Sequence, residues 1–454
     1  MAKTLIRDID YLLADAREEA HRGWSLVIDG PVIQWMGPEV PQDLKPDRTI
    51  DGRGHLFLPG LINTHHHFFQ SLTRNLPRTQ DAKLFDWIVE NFKVWRHLDH
   101  EMAATAARTV AVELLLSGCT TAVDHCYLHP AHSPEIASHE IRAVREVGLR
   151  FHLARGSLSP GFDLHPDIVQ EDDVVHKATQ RLIEEWHEPE ACGMTRICVG
   201  PCAPFNAGAD LYRESRKMAE SYPGVQCHTH LAETRDEEAY CLSRFGKRPF
   251  DFMEDLGWMD DRCFHAHSVW LDDGEVKRMA AAGAGVAHCP VSNMRLSSGI
   301  APVVDMLRAG VKVGLGVDGS ASNDSSHLFD EARQSFLLQR IRYSESDISA
   351  RDVLAMATRG GAAVLKRDDI GTLAPGKAAD VVGVNLNQIQ FAGANHDYVA
   401  ALVFCGVPRV DYSFVNGELK VDGGEVVGVD LGEVIARQNE MALELVRRAS
   451  EAAP

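Results

Sequence analysis

The sequence predicts an α/β fold: a (β/α)8 TIM-type barrel with a small β-sandwich domain formed from both chain termini. Three observations predict it. Short apolar segments alternate with helical stretches from residue 56 to residue 316, and that alternation indicates a parallel sheet. Turn-punctuated β segments flank this region on both sides. Histidines and acids gather where the alternating strands end, the face on which such barrels build their sites.

Residues 4–57 carry short apolar runs, Thr4–Ile6, Tyr11–Ala14, Trp24–Ile28 and Val32–Met36, with Asp29-Gly30 as a hairpin signal. Leu56–Ile62 reads as the first barrel strand. An aromatic-rich helix follows over Leu84–Trp95, then a helix over Glu101–Leu116 that stops at Ser117-Gly118. Seven further strands are expected over Thr120–Val123, Arg150–Ala154, Arg196–Gly200, Val225–Leu231, Cys263–Ala266, Gly285–Ala287 and Val311–Gly316. Helices over Leu328–Arg342 and Ala350–Leu365 close the barrel region. Short strands then return over Ala379–Val384, Val399–Phe404, Val410–Val415 and Gly417–Val421, with Asn416-Gly417 as a second hairpin signal. The economical division is a composite β domain from 1–57 and 366–430, a barrel over 58–365, and a charged amphipathic helix over 431–454.

A chain of 454 residues has room for a barrel of about 250 residues and a smaller domain. Apolar content of 45% and charged content of 24% are those of an ordinary globular protein. The net charge of -19 argues against nucleic acid or anionic membrane as a partner. The ten cysteines show no CxxC pair, the N-terminus shows no apolar signal region, and no apolar run reaches eighteen residues. A cytoplasmic location is the expectation.

The chemistry sits at strand ends. His65 and His67 are two apart, so both leave an extended strand end by one face, while His66 leaves by the other. The fifth strand ends in His230-Leu231-Ala232-Glu233, the sixth in His265-Ala266-His267, the seventh in His288, the eighth in Asp318. Any one of these histidines alone is more often a hydrogen-bonded structural residue; their shared placement points to a site. His65, His67 and His230 offer neutral nitrogens and Asp318 an anionic oxygen, leaving a position open for water, as a catalytic zinc site requires. A metal held there would bring the water's pKa towards neutrality. Asp318 is placed to take the water's proton and Glu233 to carry protons to a substrate nitrogen. His267 serves as a fifth ligand or as a donor to the attacking oxygen, the second being preferred. His125 and His129 are candidates to line the pocket.

In the order HxH, HxxE, His, Asp, these residues resemble the amidohydrolase superfamily, and more narrowly its mononuclear deaminases of aromatic heterocycles. The resemblance spans Leu58–His67, His230–Thr234, Ala287–Asn293, Val317–Gly319, Ala357–Gly361 and Gly371–Asp380. The fourth strand, Arg196 to Pro201, lacks the lysine that bridges two metals in the binuclear branch, so the resemblance implies one divalent metal per chain, zinc foremost with iron as the alternative. Asn63–Gln70, Asp124–Tyr127 and Arg155–Ser157 are similar to the branch holding 8-oxoguanine and isoxanthopterin deaminases and hydroxytriazine hydrolases. By that likeness Gln70 and Arg155 would bind the polar edges of the ring. Arg155 also falls at the end of the third strand, which aims it at the site. The loop Pro160–Asp167 departs from the glycine- and proline-rich loop of the oxoguanine group.

The expected activity is hydrolytic deamination of an oxopurine or pterin, as a homodimer or larger homo-oligomer. One alternative is a triazine hydrolase displacing an alkylamine or chloride. A catalytically inactive scaffold would show broken ligands, and here the set is complete. The HxE and PCxxC motifs of cytidine-type deaminases are absent.

Overall fold

The computed structural model describes residues 2–160, 164–343 and 347–452. Eight parallel strands close into a barrel: β1 (Leu61–Asn63), β2 (Cys119–Cys126), β3 (Arg150–Ser157), β4 (Thr195–Pro201), β5 (Cys227–Leu231), β6 (Cys263–His267), β7 (Gly285–His288) and β8 (Lys312–Leu315). Each of the eight expected barrel strands has its counterpart, several longer by one to three residues at the end where the site lies. One face of each strand fills the barrel and the other packs under helices. On β3, Ala154 lies with Ile62, Val123, Cys198 and Phe264 in the barrel interior, whereas Phe151 and Leu153 join the larger cluster beneath the helices.

The run Leu56–Ile62, expected as one strand, is two. His55–Pro59 pairs antiparallel with Val381–Asn385 in a six-stranded sheet, and the barrel begins only at Leu61. Gly60 is the joint. A Cβ there would lie 2.1 Å from the Thr120 hydroxyl, so only glycine lets the chain pass from one sheet to the other.

A four-stranded sheet from Val32–Gly37, Trp24–Asp29, Thr4–Ile9 and Arg48–Asp51 packs on the six-stranded one through Ile6, Leu26, Ile28, Phe57, Val381 and Phe414. Both termini therefore contribute to one sandwich core. Asn416 and Gly417 both have positive φ, 52° and 81°, and join two of its strands as the dipeptide foretells. The segment expected as a strand over Val399–Phe404 is instead a helix, Tyr398–Phe404, capped by the Asp397 carboxylate accepting from Ala400 N. A short continuous apolar run fits either state, and the cap decides. The C-terminal helix is present over Leu431–Glu451, and Gln438 on it donates to the Ser71 hydroxyl. The loop expected to diverge at Pro160–Asp167 lies partly outside the described residues. Among those described, no helix is long and apolar enough to cross a membrane.

Arg150, at the start of β3, pins the barrel to the sandwich. It makes paired bonds to Asp380 of 3.1 and 2.9 Å with both side chains buried, and Asn416 N donates to the same carboxylate. Asp380→Asn leaves the guanidinium charge buried without its counter-ion. Equilibrium denaturation is expected to show a loss of about 3–5 kcal/mol; an unchanged midpoint would refute the pin.

Candidate metal centre and active site

The seam between β1 and β8 has little ladder, and side chains complete it. Thr64 N and its hydroxyl both donate to Leu315 O, Asn63 Oδ1 accepts from Val317 N, and Asp318 N donates to His65 O. This stitching sets Asp318 opposite the histidines. Asp318 Oδ1 lies 3.4 Å from His65 Nε2 and 3.3 Å from His67 Nε2, while His67 Nε2 lies 3.1 Å from His230 Nε2. His66 turns away, as the alternation requires, onto the Ser326 hydroxyl.

The tautomers follow from the second nitrogens. His67 Nδ1 is 2.7 Å from His125 O and His230 Nδ1 is 2.7 Å from Cys202 O. A carbonyl only accepts, so each Nδ1 carries the proton and each Nε2 presents a bare lone pair. His228 Nδ1 donates to Phe264 O at 3.0 Å, which makes its Nε2 the acceptor for His65 Nδ1–H at 2.8 Å and leaves His65 Nε2 bare as well. Burial lowers the pKa of all three imidazoles, that of His67 to about 3. Burial would raise Asp318, but the His65 imidazole beside it and the charge of His267 outweigh that and hold it well below the usual carboxylate range. Three neutral imidazoles thus aim lone pairs at one another beside a carboxylate. Only a cation reconciles that set, so these residues fit a divalent metal.

Asp318 is further held by Gly319 N, 2.7 Å from Oδ1, and by the hydroxyls of Ser292 and Ser322 on Oδ2. It sits at φ 63°, as His267 sits at 69°, conformations costly for residues bearing a Cβ. His267 Nδ1 meets Asn293 Oδ1 at 2.9 Å, which turns Nε2 towards Glu233, 3.6 Å away, and Asp318 Oδ2, 4.0 Å away. Burial would lower the His267 pKa, but the two carboxylates reverse this and raise it. Glu233 is buried, its pKa raised chiefly by desolvation, and the Ser298 hydroxyl donates to its Oε1 at 3.1 Å.

His67, His230, Glu233, His267 and Asp318 all face one chamber of about 40 Å³. Trp87, Tyr127, Phe205 and Leu296 supply apolar walls, and Ile88, Phe92, Phe205 and Asn206 are shared with an outer cavity of about 620 Å³. Gln70 lines the chamber. It donates to the Tyr127 hydroxyl at 3.2 Å, and its Oε1 has no partner among the described residues.

Arg155 is brought elsewhere. The interior residue at that level of β3 is Gly156, where a Cβ would lie 2.5 Å from that of Tyr127. Alternation then sends Arg155 out with Phe151 and Leu153, under the helix layer, where it donates to Gln170 Oε1 and Gly156 O. Strand-end position was the right guide to depth, and parity was the missing one. Arg155→Ala is accordingly expected to lower Tm and leave KM unchanged, in a thermal melt and a Michaelis curve; a KM raised tenfold would return it to the pocket.

His129 bonds Cys126 O and lies off the chamber, and the His125 ring bonds Gly200 O below the ligands. Residues not foreseen are Tyr127, Ser292, Ser298, Ser322 and His228. Two of them, Tyr127 and Ser292, fall within motifs the sequence offers, Asp124–Tyr127 and Ala287–Asn293. A separate buried group of Asp124, Cys126 and Glu140 lies between β2 and the helix Ile136–Val147.

Comparison with known proteins agrees with this geometry. The model of the Amidohydrolase family matches residues 56–420. The chain is 41% identical to 8-oxoguanine deaminase of Pseudomonas aeruginosa, over 98% of this chain and 100% of that one. It is 36% identical to hydroxydechloroatrazine ethylaminohydrolase of Pseudomonas sp. strain ADP, over 89% and 87%. The structure superposes with a TM-score of 0.92 on atrazine chlorohydrolase of Arthrobacter aurescens TC1 complexed with zinc, 32% identical over 97% of this chain and 100% of that one. The chain belongs to the amidohydrolase family.

Proposed function

We propose that the protein is a hydrolase of carbon–nitrogen bonds in cyclic amidines, an aminohydrolase that releases ammonia from an aminated oxo-heterocycle such as 8-oxoguanine or a pterin. The observation that carries it is the convergence of a cation-demanding donor set with Glu233 and His267 in one buried, aromatic-walled chamber. The 8-oxoguanine deaminase relative supports the substrate class.

His65, His67, His230 and Asp318 would hold one divalent ion, zinc in preference to iron, the zinc-bound structural neighbour supporting that choice. Bound there, the ion supplies a water acidified towards neutrality. The rest is done by the chain. Gln70 offers Oε1 to a ring N–H, and the aromatic walls hold the ring plane. Glu233 takes a proton from the water as its oxygen bonds to the amino-bearing carbon, and passes it to the adjacent ring nitrogen. His267, as the imidazolium that its two carboxylate neighbours favour, donates through Nε2 to the new oxygen. The second water proton, taken by Asp318, moves to the amino group, the C–N bond breaks, and ammonia leaves with the oxo product. Desolvated Glu233 is suited to the task, because a raised pKa brings it nearer the pH at which it must both take and give.

A second reading is favoured by the ethylaminohydrolase relative and the triazine hydrolase neighbours: the same residues displacing an alkylamine or chloride from a triazine. The scattered thiols suit a reducing cytoplasm, and a homodimer is the working assembly. A screen of zinc-loaded protein decides, with ammonia release followed on oxopurines, pterins, cytosines and aminotriazines and loss of the starting ring followed on alkylamino- and chlorotriazines. Turnover confined to alkylamino- or chlorotriazines would replace the first reading with the second.

A further inference from the structure

We infer that Glu237 is a positioning residue for Glu233, a role that rests on the aminohydrolase reading above. The chain leaves β5 at Leu231 and must turn within two residues so that His230 and Glu233 face the same chamber. It does so through Ala232 at φ 50°, a left-handed conformation costly for any residue with a Cβ. The turn leaves the N–H groups of Ala232 and Glu233 buried and out of any ladder. Glu237, itself fully buried, takes both: Oε1 accepts from Ala232 N at 2.9 Å and Oε2 from Glu233 N at 2.7 Å.

Helix capping does not account for this. Glu237 is the third residue of the helix Arg235–Phe245, whose cap is Thr234, with the Thr234 hydroxyl accepting from Glu237 N at 3.2 Å. In a reciprocal cap the third-position glutamate returns to the N–H of the capping residue itself. Here it reaches past Thr234 to the two residues before it, so its carboxylate clamps the strained turn. On the other side, Trp270 N donates to Ala232 O, tying the turn to the end of β6. Glu237 is not among the residues lining the chamber. It acts through Glu233, fixing the backbone from which that side chain reaches Ser298 and His267.

The test compares Glu237→Gln, Glu237→Ala and Thr234→Val in zinc-loaded protein. Displacing a catalytic group by about 1 Å costs on the order of a hundredfold. Glu237→Ala is therefore expected to lower kcat about a hundredfold, and Glu237→Gln, which keeps one acceptor, about tenfold, with KM and zinc content unchanged. Thr234→Val removes only the cap and is expected to lower Tm while kcat stays within about twofold. Wild-type kcat in Glu237→Gln, or a loss matched by Thr234→Val or by lost zinc, overturns the role. A crystal structure of zinc-loaded Glu237→Gln is the second readout. The Glu233 carboxylate should leave the Ser298 hydroxyl, and an undisplaced carboxylate overturns the inference. A wild type that releases no ammonia from any ring would refute the reading of function, and the crystal structure would still decide the role of Glu237.

Discussion

Glu233→Gln is expected to abolish turnover by three or more orders of magnitude while folding and binding metal as the wild type does. General acid–base groups contribute roughly a hundred- to ten-thousandfold each, and Glu233 both removes a proton from water and delivers one to the ring. The amide keeps the shape and still accepts from the Ser298 hydroxyl, which reaches Oε1 at 3.1 Å. It cannot take the proton. Steady-state kinetics beside metal analysis checks this, and turnover within tenfold of wild type would remove Glu233 from the mechanism.

Removing the metal should have an equally large effect. Without an ion, the bare lone pairs of His67 and His230 face each other across 3.1 Å beside Asp318. A strong chelator is expected to drop activity to background and to lower Tm, since a ligand at a thousand times its Kd stabilises the folded chain by about 4 kcal/mol. Zinc should restore activity with a break at one equivalent per chain. His230→Ala should not recover at any zinc concentration that leaves the wild type saturated. Two ions held tightly per active chain would contradict the single donor set.

The convergence of His65, His67 and Asp318 was legible because they stand on strand ends, where two-residue alternation and the barrel's polarity give both depth and direction. His65 and His67 meet Asp318 for that reason. Arg155 shows the limit: the same depth with the opposite parity puts a side chain outside the barrel, and the glycine beside it was the clue. Glu233 was legible by spacing from His230, but the left-handed Ala232 that makes the spacing work is visible only in the backbone. The division of Leu56–Ile62 at Gly60 rests on contact with Thr120, sixty residues on, which no local pattern encodes. The run Val399–Phe404 reads as a strand and folds as part of a helix because six consecutive apolar residues have no period to choose between the two.

The joint at Gly60 bears on how the enzyme is made. During synthesis His55–Pro59 emerges more than three hundred residues before its antiparallel partner Val381–Asn385. Until that partner leaves the ribosome, His55–Pro59 has only the short strand Tyr11–Leu12 to pair with. The seam of β1 against β8 is the last closure of the barrel, and His65 and His67 follow β1 directly. The nascent chain therefore holds the full set of His65, His67, His230 and Asp318 only after β8 has emerged.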